Sequence, residues 1–341
     1  MALAALALAA PMARAADPAP EAIKACAPAG AGADSYCTIG GVRLHYVDWG
    51  GQGPAIILLA GLGNSARIFD DLAPRLTAGH RVLAFTRRGY GQSDHSQTDY
   101  SNQALVGDIL GLMDRLSIGK ASFVGHSIAG GELSTLGAQH PERVDRLVYF
   151  DSAYDRARAM ELTDGVPAGA APTPADLASL GALTRWRDGV LQTQSPAVRD
   201  DIGQVMALGP KGMTPRTPPA VMLKVLDGDI AAGPQYSHIK APALALYTSK
   251  DVADQVAAST PPARRAEVID YFIRHIRPWM LRAQADFLEQ KTCGVAVELP
   301  RSTHYFFLRS PHATATMVLS YLSSADPCRW RPPLNVWRYN W

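Results

Sequence analysis

The sequence predicts an α/β fold with a mostly parallel central sheet of about eight strands, flanked by helices, and a helical cap inserted after strand six. Short apolar runs alternate with helical stretches along most of the chain, which is typical of parallel strands joined by helical crossovers. With 341 residues, 47% of them hydrophobic, the chain is long and apolar enough for one large core plus an insertion. The alternation breaks once, at 155–240, into short helical pieces between loops rich in proline, glycine and alanine.

The elements follow one another in a simple order. Runs 36–39 and 42–49, joined by Gly40 and Gly41, predict an antiparallel hairpin. The further predicted strands are 55–59, 81–85, the run from 120 into Ser127, 146–150, 243–247 and 295–299. The predicted helices are 65–76, 102–116, the stretch from the serine turn to about 140, 262–289 and 310–324. Inside the break, helical pieces are expected at 174–183, 198–208 and 219–226.

We therefore divide the chain into a leader at 1–15, an N-terminal extension at 16–34, a core at 35–154 and 241–326, the cap at 155–240 and a tail at 327–341. The leader opens on a run of Ala and Leu too short to span a bilayer, and Ala13-Arg14-Ala15 fits a small-x-small cleavage site. This pattern indicates a secretory signal and a periplasmic or secreted protein. Because no positive charge stands near Met1, an alanine-rich leader is the alternative.

Export to an oxidising compartment favours pairing of the four cysteines, for which three connectivities exist. Cys293 precedes the last predicted strand, and Cys328 follows the helix that returns antiparallel to it, so both lie at the same end of the sheet. Cys26 and Cys37 flank a Gly/Ala-rich loop and form the other natural pair. In the cytosol all four would instead be thiols.

The charge distribution argues against nucleic acid as a partner and leaves a membrane surface as an alternative. The net charge is +2 and no basic stripe appears, so nucleic acid is not expected as a partner. The segment 328–341 carries three tryptophans, three arginines and no acidic residue, a composition that suits a membrane surface. We favour an extended strap that packs on the body of the protein, because the segment is short and has no helical apolar face.

The segment 120–132 is the most informative of the chain, because an apolar strand turns there into a helix with Ser127 on the turn. The small neighbours Gly125 and Ala129 fit the tight, strained turn that exposes a nucleophilic serine. The amide of Ile128 would then point from a helix N-terminus toward negative charge beside Ser127. The alternative is an ordinary N-cap serine.

A base for such a serine must lie in a strand-to-helix loop at the carboxyl edge of the sheet. Of nine histidines, His304 fits best, since it follows the last predicted strand. His95, His238 and His312 are weaker candidates, and we expect His126 to be turned away from the serine.

The third member of a triad accepts the other imidazole N–H. Asp251 follows the strand before the histidine and is the favoured acid. Asp254, in the same loop, and Asp151, after the strand 146–150, are the reserves.

A second oxyanion donor is expected in the glycine loop, residues 60–64, where the amide of Leu62 can pair with that of Ile128. Gly61 to Ala66 also match the dinucleotide-binding pattern G-x-G-x-x-G/A, with Arg87 and Arg88 as a 2′-phosphate site. That alternative is disfavoured, because it leaves the order of serine, aspartate and histidine unexplained.

Over about 35–324 the chain resembles the α/β-hydrolase fold family, whose triad order matches Ser127, Asp251 and His304. The resemblance is carried by Gly125-His126-Ser127-Ile128-Ala129, Gly61-Leu62-Gly63, Thr86-Arg87-Arg88-Gly89-Tyr90-Gly91-Gln92-Ser93-Asp94 and Thr303-His304-Tyr305. Where that family often has histidine before the glycine loop's first glycine, this chain has Ala60. A serine nucleophile argues against the dehalogenase and epoxide-hydrolase branches.

The resemblance implies a serine hydrolase that acts on a carboxylic ester or lactone of a small to medium organic substrate. Amidase, peptidase, C–C hydrolase and acyltransferase chemistry use the same parts, and a non-catalytic binding protein is the alternative from another class. No cofactor is implied, and the spacing of histidines and cysteines shows no metal motif. The oligomeric state is not specified by the sequence.

Overall fold

The structure, a computed structural model, describes residues 26, 28–95, 97–163, 171–249 and 262–339. The main sheet is built from eight strands: β1 (Asp34–Ile39), β2 (Val42–Gly50), β3 (Ala55–Leu59), β4 (Arg81–Phe85), β5 (Ala121–His126), β6 (Val144–Phe150), β9 (Ala243–Thr248) and β10 (Gly294–Leu299). Their spatial order is β1-β2-β4-β3-β5-β6-β9-β10. β1 pairs antiparallel with β2, and β2 with β4, whereas the other neighbours are parallel. A separate hairpin pairs β7 (Met206–Gly209) with β8 (Gly212–Pro215).

Helices flank this sheet on both faces, and further helices lie in the segment between β6 and β9. The helices are α1 (Ala73–Leu76), α2 (Asn102–Arg115), α3 (Ala129–Gln139), α4 (Arg156–Thr163), α5 (Leu180–Leu191), α6 (Pro196–Val205), α7 (Pro219–Ala232), α8 (Pro262–Tyr271), α9 (Arg277–Gln290), α10 (Phe306–Arg309) and α11 (Pro311–Leu322), and α4 to α7 are those of the segment between β6 and β9. A π-helical turn, Phe272–Ile276, joins α8 to α9. The predicted fold class, a mostly parallel sheet flanked by helices, is confirmed.

The hydrophobic core lies in two layers because alternate residues of a strand point to opposite faces. All five residues of β3 are buried. Ile56 and Leu58 pack in the layer covered by α1 and α11, and Ile57 and Leu59 in the layer covered by α2, α3 and α9. Burial on both faces explains why the central strands read as unbroken apolar runs.

Several predicted helices differ from the structure. The piece expected at 174–183 is a 3₁₀ turn, Asp176–Ala178, followed by α5, and the piece expected at 219–226 continues to Ala232 as α7. The expected helix 65–76 is wrong as a single element, because it divides into a 3₁₀ turn, Ala66–Phe69, and the short α1. Pro74 lies in the first turn of α1, where its missing N–H costs nothing and favours a new helix start. The expected piece 198–208 ends at Val205, after which the chain forms the β7–β8 hairpin.

The segment between β6 and β9, here called the insertion, holds α4 to α7 with the β7–β8 hairpin. Its α6 packs on the 3₁₀ turn after β3, and its α7 packs on α2 and α3. These contacts place the insertion beside the loops at the carboxyl edge of the sheet. In the described part of the chain, no helix is both long and apolar enough to cross a bilayer.

Disulfides join Cys26 to Cys37 and Cys293 to Cys328, the two pairings expected from the sequence. The first ties the N-terminal extension to β1, and the second ties the tail to the start of β10. Beyond Cys328, the Trp330 side chain is 6% exposed, and its Nε1 donates to Ser320 Oγ at 3.1 Å. Val336 is also buried against the core, so the described part of the tail lies on the body of the protein.

Candidate active site

Ser127 lies on a tight turn between β5 and α3. Its φ of 57° is in the left-handed region, which a residue with a side chain adopts at a cost of roughly 1 to 3 kcal/mol. The turn is held by the Ser127 amide, which donates to the carbonyl of Phe150 at 3.1 Å. A Cβ on Gly125 would lie 2.8 Å from the Leu133 side chain and 3.1 Å from Ala129 Cβ. The turn is therefore possible only with glycine at 125 and a small residue at 129.

His304 is paired with Asp151. The imidazole Nδ1 lies 2.6 Å from Asp151 Oδ2. Because an ionised carboxylate only accepts hydrogen bonds, Nδ1–H is the donor of this bond. In the neutral imidazole, Nε2 then has the lone pair that can accept a proton. Asp151 directly follows β6 and its side chain is 1% exposed, whereas His304 is 34% exposed. Since Ser127 bonds to the residue before Asp151, the serine and the carboxylate stand at neighbouring strand ends.

Of the three candidate acids, Asp151 alone lies within the described residues. Asp251 and Asp254 lie outside the described residues. Asp151, the remaining candidate, is the carboxylate that the structure brings to His304. Among the weaker candidate bases, His95 donates from Nε2 to the Gly91 carbonyl at 2.9 Å, and His312 lies in the first turn of α11. His238 ends the 3₁₀ turn Tyr236–His238.

His126 supports the loop that carries His304. It is fully buried, its Nε2 donates to the His304 carbonyl at 2.9 Å, and the two ring centroids are 4.4 Å apart. Burial, followed by the charge that His304 can carry, holds the pKa of His126 well below its ordinary value. His126 is therefore neutral, and its N–H fixes the backbone that carries His304. The sequence excluded it as a base but did not reveal this supporting contact.

The glycine loop forms a turn in which Asn64 donates its amide to the Gly61 carbonyl at 3.3 Å, with Gly63 at a φ of 77°. The amide of Leu62 takes no part in that turn bond. Ile128 is the N-cap residue of α3, and the first amides of a helix have no acceptor within it. The Leu62 side chain packs on the same apolar cluster as Ile128, so the two candidate oxyanion donors belong to adjacent segments.

The glycine loop is anchored by the insertion. Asp201 on α6 accepts from Asn64 Nδ2 at 2.7 Å and from the amide and hydroxyl of Ser65 at 2.7 and 2.8 Å. Burial raises the pKa of Asp201, and the hydrogen bonds from Ser65 and Asn64 oppose that shift. Tyr305 donates to Asn64 Oδ1 at 3.0 Å, which links this loop to the neighbour of His304.

Arg87 connects the glycine loop to the helix that follows the serine. Its Nε lies 2.7 Å from Glu132 Oε1 in the first turn of α3, and Nη1 donates to the Gly61 carbonyl at 3.3 Å. Arg88 pairs with Asp108 at 2.7 Å. Both arginines of the alternative dinucleotide site are thus already paired with carboxylates, which disfavours that alternative further.

Arg156, the first residue of α4, also holds the turn that carries Ser127. Its Nη2 donates to the Ser127 carbonyl at 2.9 Å and its Nε to Asp229 Oδ2 on α7 at 3.0 Å. Burial raises the pKa of Asp229, and Arg156 opposes that shift. This contact could not be predicted from the sequence, because its partners are 29 and 73 residues from Arg156.

Comparison with known proteins supports the fold. A family model described as alpha/beta hydrolase fold matches residues 54–190. The 2-(acetamidomethylene)succinate hydrolase of Mesorhizobium japonicum is 25% identical over 252 residues, which cover 70% of this chain and 89% of that protein. The match to the first curated relatives, uncharacterized mycobacterial proteins, is 36% identical but spans only 29% of their length.

Solved structures of the same fold cover most of the chain. The crystal structure of E-2-(acetamidomethylene)succinate hydrolase superposes with a TM-score of 0.61 at 22% identity, covering 86% of this chain and 99% of the other. The enol-lactonase of Burkholderia xenovorans LB400 gives 0.56 at 23% identity, covering 85% and 100%. The chain therefore has the α/β-hydrolase fold, and the sequence match to the family model lies in the part of the fold that carries Ser127.

Proposed function

We propose that the protein is a serine hydrolase that cleaves a carboxylic ester or lactone through an acyl-enzyme intermediate. Ser127 attacks the carbonyl carbon, His304 accepts the serine proton and returns it to the leaving group, and Asp151 orients the imidazole. Water then hydrolyses the acyl-enzyme with the same histidine as base. The amides of Leu62 and Ile128 bind the oxyanion of each tetrahedral intermediate.

The observation that carries this proposal is the hydrogen bond between His304 Nδ1 and Asp151 at 2.6 Å, beside a serine held in a left-handed turn. A buried carboxylate that accepts a hydrogen bond from Nδ1–H fixes the tautomer in which Nε2 accepts a proton. It also stabilises the imidazolium that forms when the serine is deprotonated. Asp251, the acid favoured by the sequence, is replaced in this proposal by Asp151, because only the latter has a described contact with His304.

The proposed oxyanion site is supported from several directions. Arg87 and Arg156 donate to the carbonyls of Gly61 and Ser127, so the two peptide segments that carry the donor amides are each fixed by a guanidinium. Each guanidinium is itself neutralised by a carboxylate, Glu132 and Asp229 respectively. A rigid pair of donors requires little reorganisation when charge develops, which favours the transition state.

We propose that 155–240 acts as a cap and that the substrate is a small to medium organic molecule. Leu62 and two residues of α7, Met222 and Leu226, are partly exposed around the apolar cluster that holds Ile128. An acyl group bound there would contact apolar surface beside the oxyanion donors. The likeness to an enol-lactonase supports a lactone or ester.

Hydrolysis of an amide bond is the second candidate. The Mesorhizobium japonicum relative, which aligns with 70% of this chain, is named as the hydrolase of a compound with an acetamido group. The same triad and oxyanion donors serve an amide substrate.

We also propose that the protein is secreted or periplasmic. The two disulfides support this, since such bonds persist in oxidising compartments. The leader proposed at 1–15 lies outside the described residues. Mass spectrometry of the protein purified from an exporting host should find a mature N-terminus at Ala16 and no free thiols, whereas an intact leader would contradict the proposal.

The proposed reaction is tested by labelling and by a substrate panel. A fluorophosphonate probe should modify Ser127 alone, as located by peptide mass spectrometry, because the probe reacts with activated serines. Turnover should then be compared among p-nitrophenyl esters of increasing chain length, lactones and the matching amides. Rapid cleavage of amides with no ester activity would favour the second candidate, and absence of labelling would contradict both.

A further inference from the structure

Tyr154 lies next to the proposed triad acid. It stands three residues after Asp151 in the loop between β6 and α4, and its phenol donates to Asp151 Oδ1 at 2.5 Å. The amide of Thr248 reaches the same oxygen at 3.3 Å. Since His304 bonds the other oxygen, Oδ2, the phenol and the imidazole share one buried carboxylate.

The ring of Tyr154 is fixed by two aromatic neighbours. It stacks on Trp279 with ring centroids 4.8 Å apart, and it stands at 78° to Tyr247 with centroids 5.4 Å apart. Tyr247 in turn donates its hydroxyl to the Ala153 carbonyl at 3.1 Å. Tyr154 is only 8% exposed, so these contacts fix the direction in which its hydroxyl points.

Electrostatics keep this phenol in the donor state. Burial, followed by the negative charge of Asp151, holds the pKa of Tyr154 well above its ordinary value. The phenol therefore stays protonated across the working range of a hydrolase. A hydrogen bond to the ionised form of a carboxylate stabilises that form and makes the carboxylate less basic.

We propose that Tyr154 is a positioning residue, which holds Asp151 in line with His304 and moderates how strongly that carboxylate attracts the imidazole proton. This inference rests on the proposed function. Without the phenol, Asp151 would be more basic, and the imidazolium of His304 would give up its proton only at higher pH.

Other groups that face the pair in the described part of the chain do not titrate near neutral pH. Burial holds the pKa values of Tyr247 and Tyr305 above their ordinary value and that of His126 well below its own. Arg156, on α4, donates from Nη2 to the Ser127 carbonyl. The acid limb of a pH–rate profile should therefore report the coupled pair of Asp151 and His304.

The test compares kinetics across pH for variants at residue 154. In Tyr154→Phe, kcat should fall about tenfold with KM little changed, and the acid limb of kcat/KM should move up by about half a pH unit. Replacement of Tyr154 by 3-fluorotyrosine, a more acidic phenol and stronger donor, should move the same limb to lower pH. Tyr149→Phe is the matched control, because that buried hydroxyl contacts only Ser134 Oγ in the described structure, at 3.3 Å, and it should leave kcat and the limb unchanged.

Opposite shifts of the acid limb in the two Tyr154 variants support the proposal. An unchanged kcat and limb, with only a lower melting temperature, would show that Tyr154 merely packs and would overturn it. The fluorotyrosine variant keeps both ring and hydroxyl, so it decides the matter even where the Phe variant fails to fold. Fluorophosphonate labelling of the wild type distinguishes failure of the proposed function from failure of this inference. Unlabelled Ser127 contradicts the proposed function. Labelled Ser127 with unshifted acid limbs in the Tyr154 variants contradicts this inference alone.

Discussion

At the scale of single residues, the site depends on two strained positions at neighbouring strand ends. Ser127 has a φ of 57° and Asp151 a φ of 45°, both in the left-handed region. Backbone hydrogen bonds offset that strain, since the Ser127 amide donates to Phe150 at 3.1 Å and the Asp151 amide to Leu246 at 2.8 Å. Sheet pairing thus continues one residue past each strand and sets the direction of the side chain that follows.

Part of the proposed site could be predicted from the sequence for physical reasons. Ser127 and His304 could be chosen because each follows a predicted strand at the one edge where a ligand site forms. The acid could not be chosen in the same way, since Asp151 and Asp251 both follow strands and both lie between serine and histidine in the chain. The choice depends on loop conformation after β6, which spacing does not encode.

Exchange of each aspartate for asparagine should separate the two candidate acids. We expect Asp151→Asn to lower kcat/KM for an ester by about 10⁴, because an amide in place of the carboxylate favours the wrong imidazole tautomer. Asp251→Asn, the matched control, should keep activity within a factor of a few of wild type. The reverse pattern in steady-state assays would assign the acid to Asp251.

At the scale of elements, the strands were the easiest part to predict. Buried parallel strands need apolar side chains on both faces, and this need is visible in β3, β5 and β9 as continuous runs. The β7–β8 hairpin was missed because its short segment, with Gly209 and Gly212, lies within a region of loops that has no alternating pattern. The divided helix after β3 was missed because apolar spacing continues through Pro74.

Close packing of α3 against the strand ends gives an element-scale prediction. A Cβ on Gly130 would lie 2.0 Å from the Ser152 carbonyl oxygen, whereas a Cβ on Gly107 in α2 would meet no heavy atom within 4 Å. Gly130→Ala should therefore lower the free energy of unfolding by about 1 to 3 kcal/mol. Gly107→Ala should raise it by about 0.5 to 1 kcal/mol, because alanine is the better helix former.

Urea unfolding of the two variants, followed by circular dichroism, measures both free energies of unfolding. The comparison is matched, because each variant exchanges glycine for alanine inside a helix. Equal stability of the two variants would mean that α3 does not approach the Ser152 loop as closely as the structure shows.

At the scale of the whole molecule, the insertion and the core are coupled through buried polar contacts. Asp201 of α6 holds the glycine loop through Asn64 and Ser65, and Asp229 of α7 holds Arg156 and, through it, the Ser127 carbonyl. The partners of Asp201 are 136 and 137 residues away in the chain. No local pattern marks such pairs, so the contacts between the insertion and the proposed site could not be predicted from the sequence.

The tail gives a prediction at the same scale. Removal of all residues after Cys328 deletes the buried Trp330 and Val336, and it should lower the free energy of unfolding by about 3 kcal/mol or more. Binding to anionic liposomes, measured by cosedimentation, should be the same for the full and the shortened chain. Liposome binding that is lost without loss of stability would instead make the tail a membrane anchor.

Turnover of a p-nitrophenyl ester by purified Ser127→Ala, measured beside wild type and with the melting temperature of both, tests the central claim most directly. The account predicts that kcat falls by about 10⁶ while the melting temperature stays within a few degrees, because the hydroxyl contributes chemistry rather than packing. Activity close to that of wild type in a folded Ser127→Ala protein would contradict the claim that Ser127 is the nucleophile.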